Sequence, residues 1–148
     1  MKKAFSLVEV VMVVAILGIL AAIVLPQFKS QSAQAKESSA KDNLRILRNA
    51  IQIYAVKHDD VTPGYPSNDP TKTPMLISFN NQLVSGGYLS DIPENPFNGL
   101  TTIRVLKNAD DFPAAANGVF GWIYKPATQT IKLDYPGTDT EGSSYYDY

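Results

Sequence analysis

A run of 24 residues from Phe5 to Phe28, FSLVEVVMVVAILGILAAIVLPQF, holds a single charged side chain, Glu9, and this run limits what the chain can become. As an α-helix it spans about 36 Å at about 1.5 Å per residue, enough to cross the hydrocarbon of a bilayer. One reading is a plain single-pass anchor. A second is a cleaved secretory signal, with Lys2 and Lys3 as its positive region, Pro26 as its breaker and Ala33-Gln34-Ala35 as a small-x-small cleavage site; its apolar region is longer than the usual run of about 7–15 residues. A third starts from Glu9. A carboxylate inside an apolar membrane helix costs about 2.5–3.5 kcal/mol and asks for a partner. No cation lies near it on the same helix face, although the helix N-terminus itself favours an anion by about 0.3–1 kcal/mol.

Behind this segment the chain divides by charge. Residues 1–58 hold eight Lys/Arg against three acids, Glu9, Glu37 and Asp42, while residues 59–148 hold five Lys/Arg against eleven acids. A basic segment beside an apolar span fits the cytoplasmic or anionic-lipid side of a membrane. With 148 residues in all, only a small head remains to fold by itself. It has no cysteine, so no disulfide can staple it.

Residues 27–43 are small and polar apart from Phe28; Leu44, Leu47, Ile51 and Tyr54 then recur at three- and four-residue spacing, with Ala50 and Ala55 alongside. That period predicts a helix with one buried stripe, continuing from the apolar run to about Lys57 with a break near Pro26, where a backbone donor is lost. The single histidine, His58, follows it as a surface or capping group. Prolines 63, 66, 70 and 74 make a loop, and Met75, Leu76, Phe79 and Leu83 predict a short helix stopped by Gly86-Gly87. Strand signals over 101–106, 119–124 and 130–134 predict a three-stranded antiparallel sheet. Ile103, Val105, Phe120, Trp122, Ile131 and Leu133 alternate so as to cover the helix stripe, with Trp122 as a core residue. The fold class is α+β. The predicted divisions are 1–4, 5–28 (membrane span), 29–58 (amphipathic helix) and 59–148 (head).

Ala4-Phe5-Ser6-Leu7-Val8-Glu9-Val10-Val11, continued by Ala15-Ile16-Leu17-Gly18-Ile19-Leu20-Ala21-Ala22 and closed by Pro26, resembles the N-terminal signal of type IV pilins and type II secretion pseudopilins. Gly87–Gly99 resembles the major pseudopilin of type II secretion, where Gly-Tyr-Leu leads into a Pro-containing loop before the sheet. The resemblance implies that a prepilin peptidase cuts between Ala4 and Phe5, releasing MKKA as a leader, and that the Phe5 amine is methylated. Ala4 stands where the family usually has Gly. Glu9 of an incoming subunit would then pair with the Phe5 amine of a neighbour in a homo-oligomeric helical filament, setting axial register because a shifted subunit leaves both charges unpaired. The stretch Gly18–Pro26 would melt on leaving the bilayer. Implied partners are membrane lipid, an inner-membrane assembly platform and minor pseudopilins; the implied site is the inner membrane, then a periplasmic or cell-surface filament.

The tail YPGTDTEGSSYYDY places Asp139, Glu141 and Asp147 after Asp134 among Gly and Ser. Hard cations take several oxygens from such a loop, and major pseudopilins carry calcium in a comparable one. One reading is that Ca2+ held by these four acids substitutes for the absent disulfide; the other, since their spacing matches no defined calcium motif, is an acidic solvated tail. The tail tyrosines have no basic patch beside them, so nucleic acid is not an expected partner. No nucleophile-base pair, His/Cys metal spacing or phosphate loop points to an enzyme. The remaining alternatives are a surface type IV pilin for adhesion, motility or DNA uptake and, from another class, a signal-anchored or secreted periplasmic binding protein.

Overall fold

The computed structural model describes residues 6–148, except for the side chains of residues 23–30. It divides into two compact units, Met1–Ala35 and Lys36–Tyr148. Helix α1 runs Leu7–Lys57, and helix α2 runs Leu76–Asn80 and continues as a π turn, Asn81–Ser85. Strands β1 (Ile103–Val105), β2 (Trp122–Lys125) and β3 (Thr130–Leu133) form one sheet in that order. The α+β class is therefore the expected one.

No break interrupts α1 near Pro26, which corrects the sequence reading. Proline removes one donor, and a helix bonded on either side carries over a single missing bond. At its far end α1 closes where expected. The Asp60 N–H returns to the Ala55 carbonyl at 3.0 Å while Asp59 takes φ 53°, a left-handed cap usually given to Gly but open to Asp. His58 stacks on Tyr54 and its Nδ1 lies 2.8 Å from the Tyr54 carbonyl, the capping place foreseen for it.

In the Lys36–Tyr148 unit the stripe reads as the spacing predicts. Leu44, Leu47, Ala50, Ile51, Tyr54 and Ala55 are all buried. All but Ala55 pack in one cluster with Phe79, Leu83, Ile103, Trp122, Tyr124, Ile131 and Leu133. Each large side chain so buried contributes about 1.5–3 kcal/mol. Trp122 has no exposed surface, and its Nε1 donates to the Pro93 carbonyl at 2.9 Å. The opposite face of β2 sends Ile123 into a smaller cluster with Leu106 and Tyr146.

The sheet is mixed, not antiparallel throughout. β2 and β3 pair antiparallel across a short turn, but β1 and β2 run parallel, with Ile103 opposite Trp122 and Val105 opposite Tyr124. Residues 106–121 are long enough to return the chain to the starting edge, which a hairpin turn is not. β2 also begins later than expected. The N–H groups of Asn117, Gly118 and Phe120 all point at the Asp134 carboxylate, so this stretch has no donors left for a strand. Phe120 is accordingly half-buried in a loop rather than part of the core. Gly121 then passes so close to the Leu100 carbonyl that a Cβ would lie 2.2 Å from it, which fixes glycine at the entry to β2.

Candidate assembly helix and acidic C-terminal loop

The first turns of α1 form on Ser6, whose carbonyl accepts from the N–H groups of Glu9 and Val10 at 3.1 and 3.2 Å. Glu9 lies in the first turn, the end of a helix that favours an anion. Around it Leu7, Val8, Val10, Val11, Met12, Val13, Val14, Ile16, Leu17, Ile19 and Leu20 are each more than half exposed. A helix that is apolar on every side is stable only where lipid or protein covers it. Glu9 is the only charge in this stretch, and Val10, Val13 and Val14 adjoin it. At Gly18 an added Cβ would meet nothing within 4 Å. The chain's own fold therefore makes no use of a small residue there. Ala4 and Phe5, the expected cleavage site, lie outside the described residues, as does the side chain of Pro26. Among the described residues no helix is long and apolar enough to cross a membrane, and the expected span over 5–28 includes Phe5 and the side chains of residues 23–28, which lie outside that description.

The acidic tail folds back on the C-terminal half of α1. Asp139 is buried. Its Oδ1 accepts from the Glu141 and Ser143 N–H groups at 2.9 and 2.8 Å, and its Oδ2 accepts from the Tyr148 hydroxyl at 2.8 Å, with Lys41 Nζ 3.9 Å away. The Tyr148 hydroxyl first, then these N–H groups and Lys41, hold the Asp139 carboxyl below the ordinary aspartate range. Burial, and then the acceptor role of Asp139, push the Tyr148 phenol well above its usual value. Arg48 reaches the same segment, donating to the Tyr148 carbonyl at 2.7 Å and to the Ile131 carbonyl at 3.3 Å.

Glu37 makes the other tie. Only 7% exposed, it accepts from the Thr140 N–H and hydroxyl, both at 3.1 Å, and from the Tyr145 hydroxyl at 3.4 Å. The sequence reading counted Glu37 only as charge. A signal was available: 37, 40, 44, 47, 51 and 54 continue one three-four stripe, and an acid on such a stripe needs a donor from whatever packs there.

The four acids expected to hold calcium do not gather around one point. Asp134, wholly buried, spends Oδ1 on the N–H groups of Asn117 and Gly118 at 2.9 and 3.2 Å and Oδ2 on that of Phe120 at 3.0 Å. Asp139 is filled as described, and Asp147 pairs with Lys132 at 3.3 Å. Asp139, Glu141 and Asp147 share one surface cleft, and Asp134 is not part of it. Among the described residues no three acids, histidines or cysteines stand together as metal ligands. A cation that takes six to eight oxygens thus does not fit these carboxylates as they are arranged.

Comparison with known proteins bears on the helix most directly. Residues 1–25 match the family model described as the prokaryotic N-terminal methylation motif. The type II secretion system core protein G of Pseudomonas aeruginosa is 35% identical over 105 residues, covering 65% of this chain and 68% of the relative. That of Aeromonas hydrophila is 30% identical over the same length, covering 65% and 68%. The type IV major pilin protein PilA of Myxococcus xanthus is 44% identical over 57 residues, covering 38% of this chain but 26% of that one. No solved structure matches. With likeness running from the methylation motif well beyond the apolar helix, the chain belongs to the family of type II secretion system core protein G, the major pseudopilins.

Proposed function

We propose that this chain is a structural, non-catalytic subunit of a type II secretion pseudopilus. A prepilin peptidase cuts between Ala4 and Phe5 on the cytoplasmic side, the new Phe5 amine is methylated, and the subunit waits in the inner membrane with its head in the periplasm. It then joins a helical filament through α1, at an assembly platform in that membrane and in company with minor pseudopilins.

One observation carries this reading: the first half of α1 exposes eleven large apolar side chains around its whole circumference, with a single acid among them. Lipid covers such a surface before assembly and neighbouring helices cover it afterwards. Glu9 then needs a cation in a dry environment, and the Phe5 amine of the adjacent subunit supplies one. A subunit one step out of register leaves both charges buried and unpaired, at a cost of several kcal/mol. Gly18 and Pro26 belong to the same event, as the stretch that melts when subunits leave the bilayer and pack.

Glu9→Ala tests it. The variant inserts in the membrane as the parent does and fails to build filaments that sediment after the outer membrane is gently lysed; filaments in normal amount would remove Glu9 from the mechanism. The surface-pilus reading draws on the match to the Myxococcus xanthus pilin, which reaches 26% of that protein's length. Immunogold labelling of intact, unpermeabilised cells separates the two, since a periplasmic filament stays unlabelled.

A further inference from the structure

Two Asn-Gly pairs occur in the chain, Asn98-Gly99 and Asn117-Gly118. Such a pair can close on itself, since glycine has no Cβ to keep the carboxamide carbon away from its backbone nitrogen. Both asparagines make the same local turn: Asn98 Oδ1 accepts from the Leu100 N–H and Asn117 Oδ1 from the Val119 N–H, each at 3.1 Å. The ring that each bond closes contains the glycine nitrogen, so the carboxamide is folded back over it. Beyond that the fold treats the two pairs in opposite ways. Asn98 Nδ2 donates to the Phe120 and Gly118 carbonyls at 2.9 and 3.2 Å, and the Gly99 N–H is spent on the Asn95 carbonyl at 2.8 Å. Leaving group and nucleophile are thus both held by neutral carbonyls, which take up no proton. The Asn117 side chain is exposed, and its Nδ2 has no hydrogen-bond partner among the described residues. The Gly118 N–H points instead at a carboxylate, Oδ1 of the buried Asp134, at 3.2 Å.

We infer that Asn117-Gly118 is a self-modification site at which Asp134 acts as the base for ring closure, and that Asn98-Gly99 is not. The Gly118 nitrogen bonds to Asn117 Cγ while its proton goes to Asp134 Oδ1. The charge that develops on Asn117 Oδ1 meets the Val119 N–H, a donor already in place. Asp134 returns the proton through water to Nδ2, the Cγ–Nδ2 bond breaks, and ammonia leaves behind a succinimide ring. Water then opens the ring at either carbonyl, so that position 117 becomes aspartate or isoaspartate. Isoaspartate adds a methylene to the main chain ahead of Gly118 and Phe120, whose N–H groups then lose their register on Asp134. The inference stands apart from the filament reading, since every group it uses lies in the head.

The two pairs serve as each other's control in one molecule. The full-length chain in detergent is held at neutral pH and digested at intervals; peptide mass spectra follow conversion of Asn117 and Asn98, with isoaspartate scored by its resistance to Asp-N protease. In the folded chain Asn117 converts at least about tenfold faster than Asn98, and faster than it does in denaturant, where the two rates converge. Equal rates at the two sites of the folded chain, or a folded Asn117 slower than the denatured one, overturn the inference. Asp134→Asn, held below its own melting midpoint, keeps an acceptor oxygen for the loop but takes up no proton. It slows Asn117 by at least about tenfold and leaves Asn98 as it was. An unchanged rate at Asn117 overturns the role of the carboxylate, and so does a faster rate at both sites, which is what a merely loosened loop gives.

Discussion

Asp134 is the side chain whose removal has the most calculable consequence. It is wholly buried and accepts three backbone hydrogen bonds, from Asn117, Gly118 and Phe120, that hold the return loop into β2. Hydrogen bonds to a charged acceptor contribute about 1.5–3 kcal/mol each. Asn117 and Val119 face solvent, so the loop can rehydrate in part and the low end applies. Asp134→Ala then costs about 3–5 kcal/mol, a large share of the roughly 5–15 kcal/mol that a domain of this size has in total. At about 4 °C per kcal/mol the melting temperature falls by about 12 °C or more. Asp134→Asn keeps one acceptor oxygen, faces the loop with an amide where a carboxylate stood, and recovers about half of that loss. The assay is a thermal melt followed by circular dichroism on the full chain in detergent, with α1 helicity at 222 nm tracked separately from the tyrosine and tryptophan signal of the head. An Asp134→Ala shift under about 2 °C would show that the loop does not depend on this carboxylate.

Two further outcomes concern the same region. Asp139 has its carboxyl pKa lowered in the folded chain, so its contribution is fully present above the ordinary aspartate value of about 3.9 and is lost only as the pH falls through the lowered folded value. The protection factors of the amides in residues 137–148, with the intrinsic pH dependence of exchange divided out, therefore stay constant from neutrality down to about pH 4 and fall below it, and Asp139→Asn abolishes the step; a loss of protection already near neutrality would contradict this. Chelation leaves the melting temperature of the purified chain unchanged, because Asp134 and Asp139 are already saturated by N–H and O–H donors; a drop of several degrees with EDTA, restored by Ca2+, would show that the tail rearranges around an ion.

Legibility in the sequence followed the physics of each element. The α1 stripe from Leu44 to Tyr54 could be read because helical period and burial are the same fact, and Trp122 because a large ring in a strand opposite such a stripe has few other places to go. The short helix ahead of Gly86-Gly87 was legible from its stop signal. The direction of β1 was not. Residues 106–121 permit either sense, and no local residue pattern distinguishes a hairpin from a crossover of that length. Phe120 was misplaced for a nonlocal reason, since the carboxylate that takes its N–H sits 14 residues away. The acids of the tail look alike in the sequence. What separates them is which donors the fold brings near: three loop N–H groups for Asp134, a tyrosine hydroxyl for Asp139, a lysine for Asp147. At the N-terminal end the reverse holds, because a lone acid, Glu9, amid an apolar helix is visible in composition alone.

The account depends most on the presence of a free, cationic Phe5 amine for Glu9 to meet. Intact mass and N-terminal fragmentation of the subunit taken from native filaments measure this directly. A chain lacking MKKA and carrying one added methyl group on Phe5 is the predicted result; an uncut chain that still begins with Met1 would contradict it.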